Sequence, residues 1–292
     1  MKAAHGFRRL VVDLSHPGAG AASLRVSASV ARLLRLDLVG VFVEDEALHA
    51  LAGLPFVREL RLPSPSWRPL DLHRIAAETT ALAAQARRLL LAAGATAALP
   101  AVFEWLRGDP ASAVAALACE DDILAWPARP GRTGRLEHQP PRQREAALRC
   151  VASVLLLPYS GTAPSPASPA KEPEAGSIAV LAGQGGRAVD IAARIALEAG
   201  ATLLLLGPPD SVASMTRAKR QALAMGLPVE RLRSVKIAAP VQMGLARALA
   251  GEGVRLLALD RQECIGEAAG WLESIAAERG VPVLVVEPTA TT

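Results

Sequence analysis

Short runs of apolar residues alternate along this chain with longer segments in which apolar residues recur every three or four positions. The short runs are apolar at consecutive positions, which is typical of strands buried on both faces of a parallel sheet. The longer segments are typical of amphipathic helices. Up to residue 158 the pattern predicts strands over residues 9–14, 38–43, 101–105, 122–126 and 153–157, and helices over 23–36, 75–93, 110–119 and 142–150.

The same order of elements occurs again from residue 177 onward. The pattern there predicts strands over residues 177–181, 202–206, 232–237, 255–259 and 283–286, and helices over 186–199, 212–225, 242–250 and 265–278. Strands that alternate with helices through right-handed crossovers form doubly wound α/β domains. We therefore expect two Rossmann-like domains in tandem, each with a five-stranded parallel sheet, and we infer an internal duplication.

The boundary between the two halves is a segment rich in Pro, Ala, Ser and Gly. Residues 159–176 read YSGTAPSPASPAKEPEAG and show no apolar periodicity. Such a composition is typical of an extended, semi-rigid linker. The predicted organisation is a first domain over residues 1–158, a linker over 159–176 and a second domain over 177–292.

The composition indicates that the chain can bury a large core, since 51% of its 292 residues are hydrophobic and 21% are charged. This balance excludes a disordered chain. No apolar run reaches the roughly 18 residues that a membrane helix needs. Three cysteines, odd in number and far apart in the chain, argue against a disulfide scaffold. They favour a reducing compartment, so we expect the protein in the cytoplasm.

The net charge of +4 comes with two basic clusters, at residues 129–149 and 217–220. Neither cluster is interleaved with the aromatic side chains that stack on bases. We therefore interpret these clusters as solvated surface and do not expect a nucleic-acid partner.

Residues 11–48, VVDLSHPGAGAASLRVSASVARLLRLDLVGVFVEDEAL, resemble the opening of universal stress proteins. That opening is a strand ending in Asp-Gly-Ser, then a helix, a second strand and an acidic stretch; here Leu14 replaces the glycine. Residues 178–206 show a similar pattern. Each half also ends in an apolar strand with a closing proline, SVLLLP at 153–158 and PVLVVEP at 282–288. The chain thus resembles a tandem, two-domain member of this family.

The resemblance implies a cytoplasmic, non-catalytic protein of the bacterial type that supports the stress response by binding or scaffolding. The sequence does not identify a protein partner. The final strands of the two halves, 153–157 and 283–286, would be exposed apolar edges if they were left unpaired. We expect them to pair across a pseudo-twofold axis, so that one chain imitates the dimer of single-domain members.

The resemblance also implies a test for ATP binding, because the ATP-binding members carry G-x2-G-x9-G-[S/T] after the fourth strand. Gly131 and Gly134, with Arg132 beside them, match the first pair of glycines. The N–H groups of such a loop hold phosphates. Arg144 and Glu145 stand where the motif needs Gly and Ser or Thr, and they would crowd and repel phosphates. The glycine pair is either a residual phosphate loop or a flexible turn.

The second half lacks this motif, since residues 260–263 read Asp-Arg-Gln-Glu and Ala182 stands where the first half has Asp13. An adenine nucleotide is therefore expected in the first domain only. Asp13 and Ser15 follow the first strand at its carboxyl end, where doubly wound sheets bind ligands. Asp13 either accepts a hydrogen bond from an adenine amino group or ribose hydroxyl, or it is a loop carboxylate that caps the next helix turn, with Ser15 and His16 as turn residues. The candidate cofactor-binding residues are Asp13, Ser15, Gly131, Arg132 and Gly134.

A different function class is suggested by Gly183, Gly185 and Ala188, which match the dinucleotide fingerprint G-x-G-x-x-A after a strand and before a helix. No acidic residue ends the next strand, which closes at Leu206-Gly207-Pro208. A tight turn is the structural alternative. If the fingerprint is functional, the protein is a nucleotide- or dinucleotide-dependent enzyme that uses the loop from Gly183 to Gly186.

The sequence gives little support for a metal site or for a hydrolase or P-loop motif. The five histidines show no metal-ligand spacing with one another or with cysteine, and G-x-S-x-G and a P-loop lysine are both absent. We expect no metal and no catalytic residue. Residues 45–70, with Phe56 and Trp67, form either a lid or partner surface or a helical excursion packed on its own domain. Trp105 and Trp126 are expected in the core.

Overall fold

The computed structural model describes residues 6–15, 20–54, 56–61, 65–110, 112–128, 150–158, 176–183, 185–208, 210–237, 241–250, 253–264 and 269–287. Most of the predicted helix at 142–150, all but the last residue of the 159–176 segment, and the first four residues of the predicted 265–278 helix lie outside these residues. Within the described residues, no helix has the length and apolar character needed to cross a membrane.

The described residues of the first half contain seven strands; five lie in the segments that the pattern predicts, whereas those at residues 58–61 and 66–69 were not predicted. These strands are β1 (Arg9–Asp13), β2 (Asp37–Asp45), β3 (Arg58–Arg61), β4 (Ser66–Pro69), β5 (Ala101–Gly108), β6 (Asp122–Ala128) and β7 (Ser153–Pro158). The helices between them are α1 (Ala21–Leu33), α2 (Glu46–Ala52), α3 (Leu72–Thr96) and α4 (Ala113–Leu117).

The second half repeats the alternation with shorter connections. Its strands are β8 (Ser177–Leu181), β9 (Leu203–Gly207), β10 (Leu232–Lys236), β11 (Val254–Asp260) and β12 (Val283–Val286). Its helices are α5 (Arg187–Glu198), α6 (Val212–Ala224), α7 (Val241–Ala250) and α8 (Ala269–Arg279), with short 3-10 turns at Val229–Arg231 and Arg261–Cys264.

Strands from both halves form one ten-stranded sheet in the order β10-β9-β8-β11-β12-β7-β6-β1-β2-β5. If the sheet strands of each half are numbered separately in chain order, both halves read 3-2-1-4-5. All neighbours within a half are parallel. This is the doubly wound arrangement, with its switch point between the first and fourth strands. The predicted fold class is confirmed.

The two halves meet at an antiparallel pairing between β7 and β12, as we expect for the final strands. Leu155 lies opposite Leu284, Val154 opposite Val285, and Leu156 opposite Val283. If Val154 corresponds to Val283 and Leu156 to Val285, the register is symmetric about the Leu155–Leu284 pair. Each strand then uses the same positions to bind the other, as in a twofold interface.

Helices cover both faces of the sheet and bury two apolar layers. One layer includes residues of α1, α3, α5 and α6 packed on strand residues such as Leu10, Leu155 and Leu284. The other includes residues of α4, α7 and α8 packed on strand residues such as Val11 and Leu156. Both layers run through the seam between the halves, so the core is continuous across it.

The structure corrects the predicted end of the long helix of the first half. We expected this helix to stop at Gly94, but α3 continues through Gly94 to Thr96. The glycine is needed for packing, because a Cβ at Gly94 would lie 2.7 Å from the Cβ of Ala101 in β5. Ala98 adopts a positive φ of 53° after the helix has ended.

Trp105 is not a core residue, which corrects a second expectation. It lies on β5, at one edge of the described sheet, and is 43% exposed. Its ring contacts Phe42 edge to face, with centroids 5.8 Å apart. Trp126, on the more central strand β6, is buried as predicted. Position in the sheet, which the local pattern does not specify, accounts for the difference.

Residues 45–70, between β2 and α3, were predicted to form either a lid or partner surface or a helical excursion packed on its own domain. Only part of this segment is helical. It contains the short helix α2 and then an antiparallel hairpin of β3 and β4, in which Leu60 lies opposite Trp67. Glu59 forms an ion pair with Arg74 and so ties the hairpin to α3. Phe56 is 75% exposed and Trp67 is 65% exposed. The aromatic residues of this segment therefore lie on the surface.

Candidate functional site

The switch point of the first half lies where β1 ends between β2 and β6. Asp13, the last residue of β1, is 8% exposed. Its Oδ1 accepts a hydrogen bond from the backbone N–H of Ser15 at 2.8 Å. The Ser15 hydroxyl in turn accepts one from the backbone N–H of Val43 at 2.8 Å. Two of the five predicted site residues, Asp13 and Ser15, are thus brought together and fixed against β2.

These hydrogen bonds give Asp13 and Ser15 a structural role in the turn after β1. Neither side chain caps the next helix, because α1 begins after Gly20 without a side-chain cap. The alternative that Asp13 caps the next helix turn is therefore wrong for α1, and the carboxylate instead stabilises the turn after β1 through the N–H of Ser15. This role is compatible with ligand binding, since a carboxylate oxygen can accept more than one hydrogen bond.

Leu14, which replaces the glycine of the Asp-Gly-Ser pattern, packs into the sheet at Gly40. A Cβ at Gly40 would lie 2.6 Å from Leu14 Cδ1 and 2.6 Å from Leu90 Cδ2. The backbone N–H of Leu14 donates to the carbonyl of Val41 at 2.8 Å. Gly40 in β2 thus provides the space for the Leu14 side chain. The turn that carries Asp13 stays hydrogen-bonded to β2 through the Leu14 N–H.

The glycine pair of the expected phosphate loop, Gly131 and Gly134, lies outside the described residues, as does Arg132. The same holds for Arg144 and Glu145. Their role in phosphate binding stays a prediction from the sequence.

A buried carboxylate that the sequence analysis missed lies close by, at the carboxyl end of β2. Glu44 is buried, and its Oε2 accepts hydrogen bonds from Arg107 Nε at 2.9 Å and Trp105 Nε1 at 3.2 Å. His49 Nε2 lies 2.7 Å from Glu44 Oε1. Burial alone would raise the pKa of Glu44, but Arg107, His49 and Trp105 together hold it below its ordinary value. An acidic residue directly after an apolar run was the available signal.

The glycine-rich loop of the second half (the 183–186 loop) leads from β8 into α5, as predicted. Gly186 has a φ of +79°, which favours glycine, and precedes the first helical residue Arg187. Gln221 Nε2 donates to the Gly186 carbonyl at 2.9 Å. Gln184 lies outside the described residues; Gly185 and Gly186 lead directly into the N-terminus of α5, a position where anions bind.

A carboxylate of the chain itself occupies this helix N-terminus. Asp260, the last residue of β11, is 1% exposed, and its Oδ1 accepts a hydrogen bond from the backbone N–H of Ala188 at 2.9 Å. The backbone N–H of Gly186 also donates to this carboxylate. A Cβ at Gly185 would lie 2.9 Å from Asp260 Oδ2, and one at Gly183 would overlap the Glu263 carboxylate. The space that a pyrophosphate would need is filled.

The electrostatics of Asp260 show that its burial is unfavourable for the charged form. Desolvation raises the pKa of Asp260 above its ordinary value, and the nearby charge of Glu263 adds to this. The hydrogen bonds from Ala188 and Gly186, together with the charge of Arg187, offset only part of the increase. The 183–186 loop therefore does not fit a second anion, which argues against the dinucleotide interpretation.

The hydrogen bonds that follow the first strand of each half correct one correspondence between the halves. The Leu14 N–H donates to the carbonyl of Val41, which pairs with Asp13, and the Ala182 N–H donates to the carbonyl of Leu206, which pairs with Leu181. By these contacts, Leu181 corresponds to Asp13, whereas Ala182 corresponds to Leu14. The conclusion that the second half lacks an acidic residue at this position still holds.

Two further groups of residues bear on chemistry. Cys119, Asp121 and Asp122 offer ligand atoms within 4.8 Å of one another among the described residues. The Asp122 carboxylate is buried and already binds Arg9, with Nε–Oδ1 at 2.7 Å and a second hydrogen bond, from Nη2 to Oδ2, at 2.8 Å.

Burial raises the pKa of the Cys150 thiol, which disfavours a reactive thiolate.

Comparison with known proteins finds similar solved structures. Neither a protein-family model nor a curated protein matches the sequence. A universal stress protein from Archaeoglobus fulgidus DSM 4304 aligns over 97% of both chains, with a TM-score of 0.66 and 11% identity. The fold is that of universal stress proteins. A second structure described in the same terms, from Pseudomonas aeruginosa UCBPP-PA14, covers 98% of this chain and 95% of its own, with a TM-score of 0.50 and 14% identity.

Within this universal stress protein fold, the two halves of the chain differ at equivalent places. The first half ends β1 with an acidic residue, Asp13, at its switch point. The second half has Leu181 there and fills the neighbouring 183–186 loop with Asp260 and Glu263. Asp260 was visible in the sequence only as part of a polar segment, and its contact with the loop follows from the neighbouring positions of β8 and β11.

Proposed function

We propose that this chain is a non-catalytic binding protein of the universal stress type, with one adenine-nucleotide site at the switch point of the first half. The observation that carries the proposal is the fixed, largely buried carboxylate of Asp13 at the carboxyl edge of β1. A carboxylate held in this way accepts hydrogen bonds from an adenine amino group or a ribose hydroxyl. The role would be to sense or respond to stress in the cytoplasm.

The remaining part of the proposed site comes from the sequence. Gly131 and Gly134 would offer backbone N–H groups to the phosphates, and Arg132 would offer a cation. The fold supports this assignment because β6, the strand that precedes this segment in the sequence, pairs with β1. The β7–β12 pairing supports the further proposal that one chain takes the place of a dimer.

The test is titration calorimetry of the full chain with ATP and ADP, with and without Mg²⁺. Asp13→Asn keeps an oxygen that can accept the hydrogen bond from Ser15 but removes the charge. We expect the affinity to fall by about tenfold or more in this variant. Asp37→Asn is the matched control, since Asp37 is exposed at the opposite end of β2. Equal affinities in wild type and Asp13→Asn, or no nucleotide binding, would refute the proposal.

The exposed hairpin favours a second candidate, a protein that acts only by binding another protein. The Leu60–Trp67 pair and Phe56 present apolar side chains to solvent, while Glu59 anchors the hairpin to α3. Exposed aromatic side chains are common anchors of protein interfaces.

Pull-down assays with wild type and Trp67→Ala separate this second candidate from the first. A partner lost in Trp67→Ala and kept in Leu82→Ala, which alters another exposed apolar residue, would favour it if nucleotides do not bind. A partner that both variants keep would argue against the hairpin as the interface.

A further inference from the structure

The 183–186 loop of the second half combines features that together accommodate an anion. Gly186 adopts a positive φ, α5 begins immediately after it, and Arg187 adds a cation in the first turn. Backbone N–H groups at a helix N-terminus and a nearby guanidinium favour negative charge. In this chain the negative charge comes from Asp260, which reaches the loop from β11.

The contacts of Asp260 are those that a bound phosphate oxygen would make. Its Oδ1 accepts the N–H of Ala188 at 2.9 Å, and the carboxylate also accepts the N–H of Gly186. The carboxylate also touches the loop where only glycine fits, because a Cβ at Gly185 would lie 2.9 Å from Oδ2. Glu263, on the 3-10 turn after β11, covers Gly183 in the same way.

A free anion faces two obstacles at this position. The first is steric, since Asp260 and Glu263 fill the space above both glycines. The second is electrostatic, since two carboxylates lie where phosphates would approach, and like charges at short range repel strongly in a buried site. The neighbouring switch point has no carboxylate at the end of β8, where Leu181 stands in place of an acidic residue.

We propose that Asp260 is an internal ligand of the 183–186 loop and that it closes the second half to phosphate-bearing molecules such as nucleotides and dinucleotides. Glu263 contributes by covering Gly183. The loop is an anion-binding structure whose anion is covalently part of the chain. This inference concerns the second half alone and does not rest on the nucleotide site proposed for the first half.

The experiment removes the two carboxylates beside the 183–186 loop and measures whether inorganic phosphate then binds there. The double variant Asp260→Ala/Glu263→Ala removes both carboxylates, and Asp210→Ala/Glu230→Ala removes two exposed carboxylates from the same half as a matched control. Phosphate binding to each full-length protein is measured by ³¹P NMR titration at constant ionic strength. We expect the opened variant to bind phosphate about tenfold more tightly, or better, than wild type and the control.

A second variant keeps the proposal falsifiable if the double alanine variant does not fold. Asp260→Ser/Glu263→Ala retains a hydroxyl that can accept the Ala188 N–H, while its shorter side chain leaves the space beside Gly185 open. A folded variant of either kind that binds phosphate no better than the control would overturn the proposal. So would phosphate binding by wild type that Gly185→Val abolishes, because the loop would then already be open.

Discussion

Leu155 of β7 lies directly opposite Leu284 of β12, at the centre of the antiparallel pairing that joins the two halves. Both side chains are fully buried and belong to the same apolar layer. Because this layer continues across the seam, the two halves share a core. The sheet therefore links their stabilities.

Leu284→Ala tests this link. Removing a buried leucine side chain is expected to lower the free energy of unfolding by about 2–5 kcal/mol. Because the core is shared, circular dichroism in urea should show one transition that moves as a whole. Leu82→Ala is the control, since Leu82 is exposed and its loss should change stability by about 0.5 kcal/mol or less. Two transitions, only one of which moves, would show that the halves unfold independently.

Arg261, on the 3-10 turn after β11, also links the two halves. Its guanidinium donates to the carbonyls of Cys150 at 3.0 Å and Ala152 at 2.6 Å, and it forms an ion pair with Glu287. Arg261→Ala leaves the buried carbonyls and the carboxylate without this donor, so we expect a loss of about 2–4 kcal/mol in urea unfolding.

Lysine at this position should restore less than half of that loss, because an ammonium does not reproduce the guanidinium geometry. Arg220→Ala, at an exposed position of α6, should leave stability nearly unchanged. Full rescue by lysine would mean that charge alone matters at position 261.

Asp260 should make stability depend on pH in a characteristic direction. Its pKa in the folded chain is raised, mainly by burial, so folding favours the protonated form. The favourable contribution is present below the unfolded pKa of about 4 and is lost as pH rises through the folded pKa. Asp260→Asn is neutral throughout, so its stability relative to wild type should increase as the pH rises above about 4. Urea unfolding at several pH values measures this, and a change in favour of wild type would contradict it.

Glu44 should show the opposite dependence. Although burial acts to raise its pKa, Arg107, His49 and Trp105 lower it overall, so folding favours the ionised form. This contribution is present above the unfolded pKa of about 4 and is lost as pH falls through the folded pKa. Glu44→Gln should cost about 1–2 kcal/mol near neutral pH, and the difference from wild type should shrink in acid. A constant difference across the pH range would exclude this electrostatic role.

The fold was predictable from the sequence because buried parallel strands carry their own signal. The segments around Val11 and Leu204 are short and apolar at consecutive positions, which is typical of a strand covered on both faces. The end of α3 and the exposure of Trp105 were not predictable in the same way. Both depend on which strand lies beside β2, and that neighbour is β5, more than fifty residues away along the chain.

The site was predictable only in part, for a similar reason. Asp13 and Ser15 could be found because they directly follow an apolar strand. The occupation of the 183–186 loop by Asp260 depends on β11 lying beside β8, so residues more than seventy positions apart meet. A glycine fingerprint describes the backbone of a loop, and it carries no information on which distant side chain fills that loop.

The most direct test of the proposed difference between the two halves is the number of nucleotide sites per chain, determined by titration calorimetry of the full-length protein with ATP. We predict one site, because Asp13 lies at the switch point of the first half and Asp260 is proposed to close the second half. That site should be weakened in Asp13→Asn and unchanged in Asp210→Ala. Two equivalent sites per chain, or a single site that is unaffected by Asp13→Asn, would contradict this assignment of the two halves.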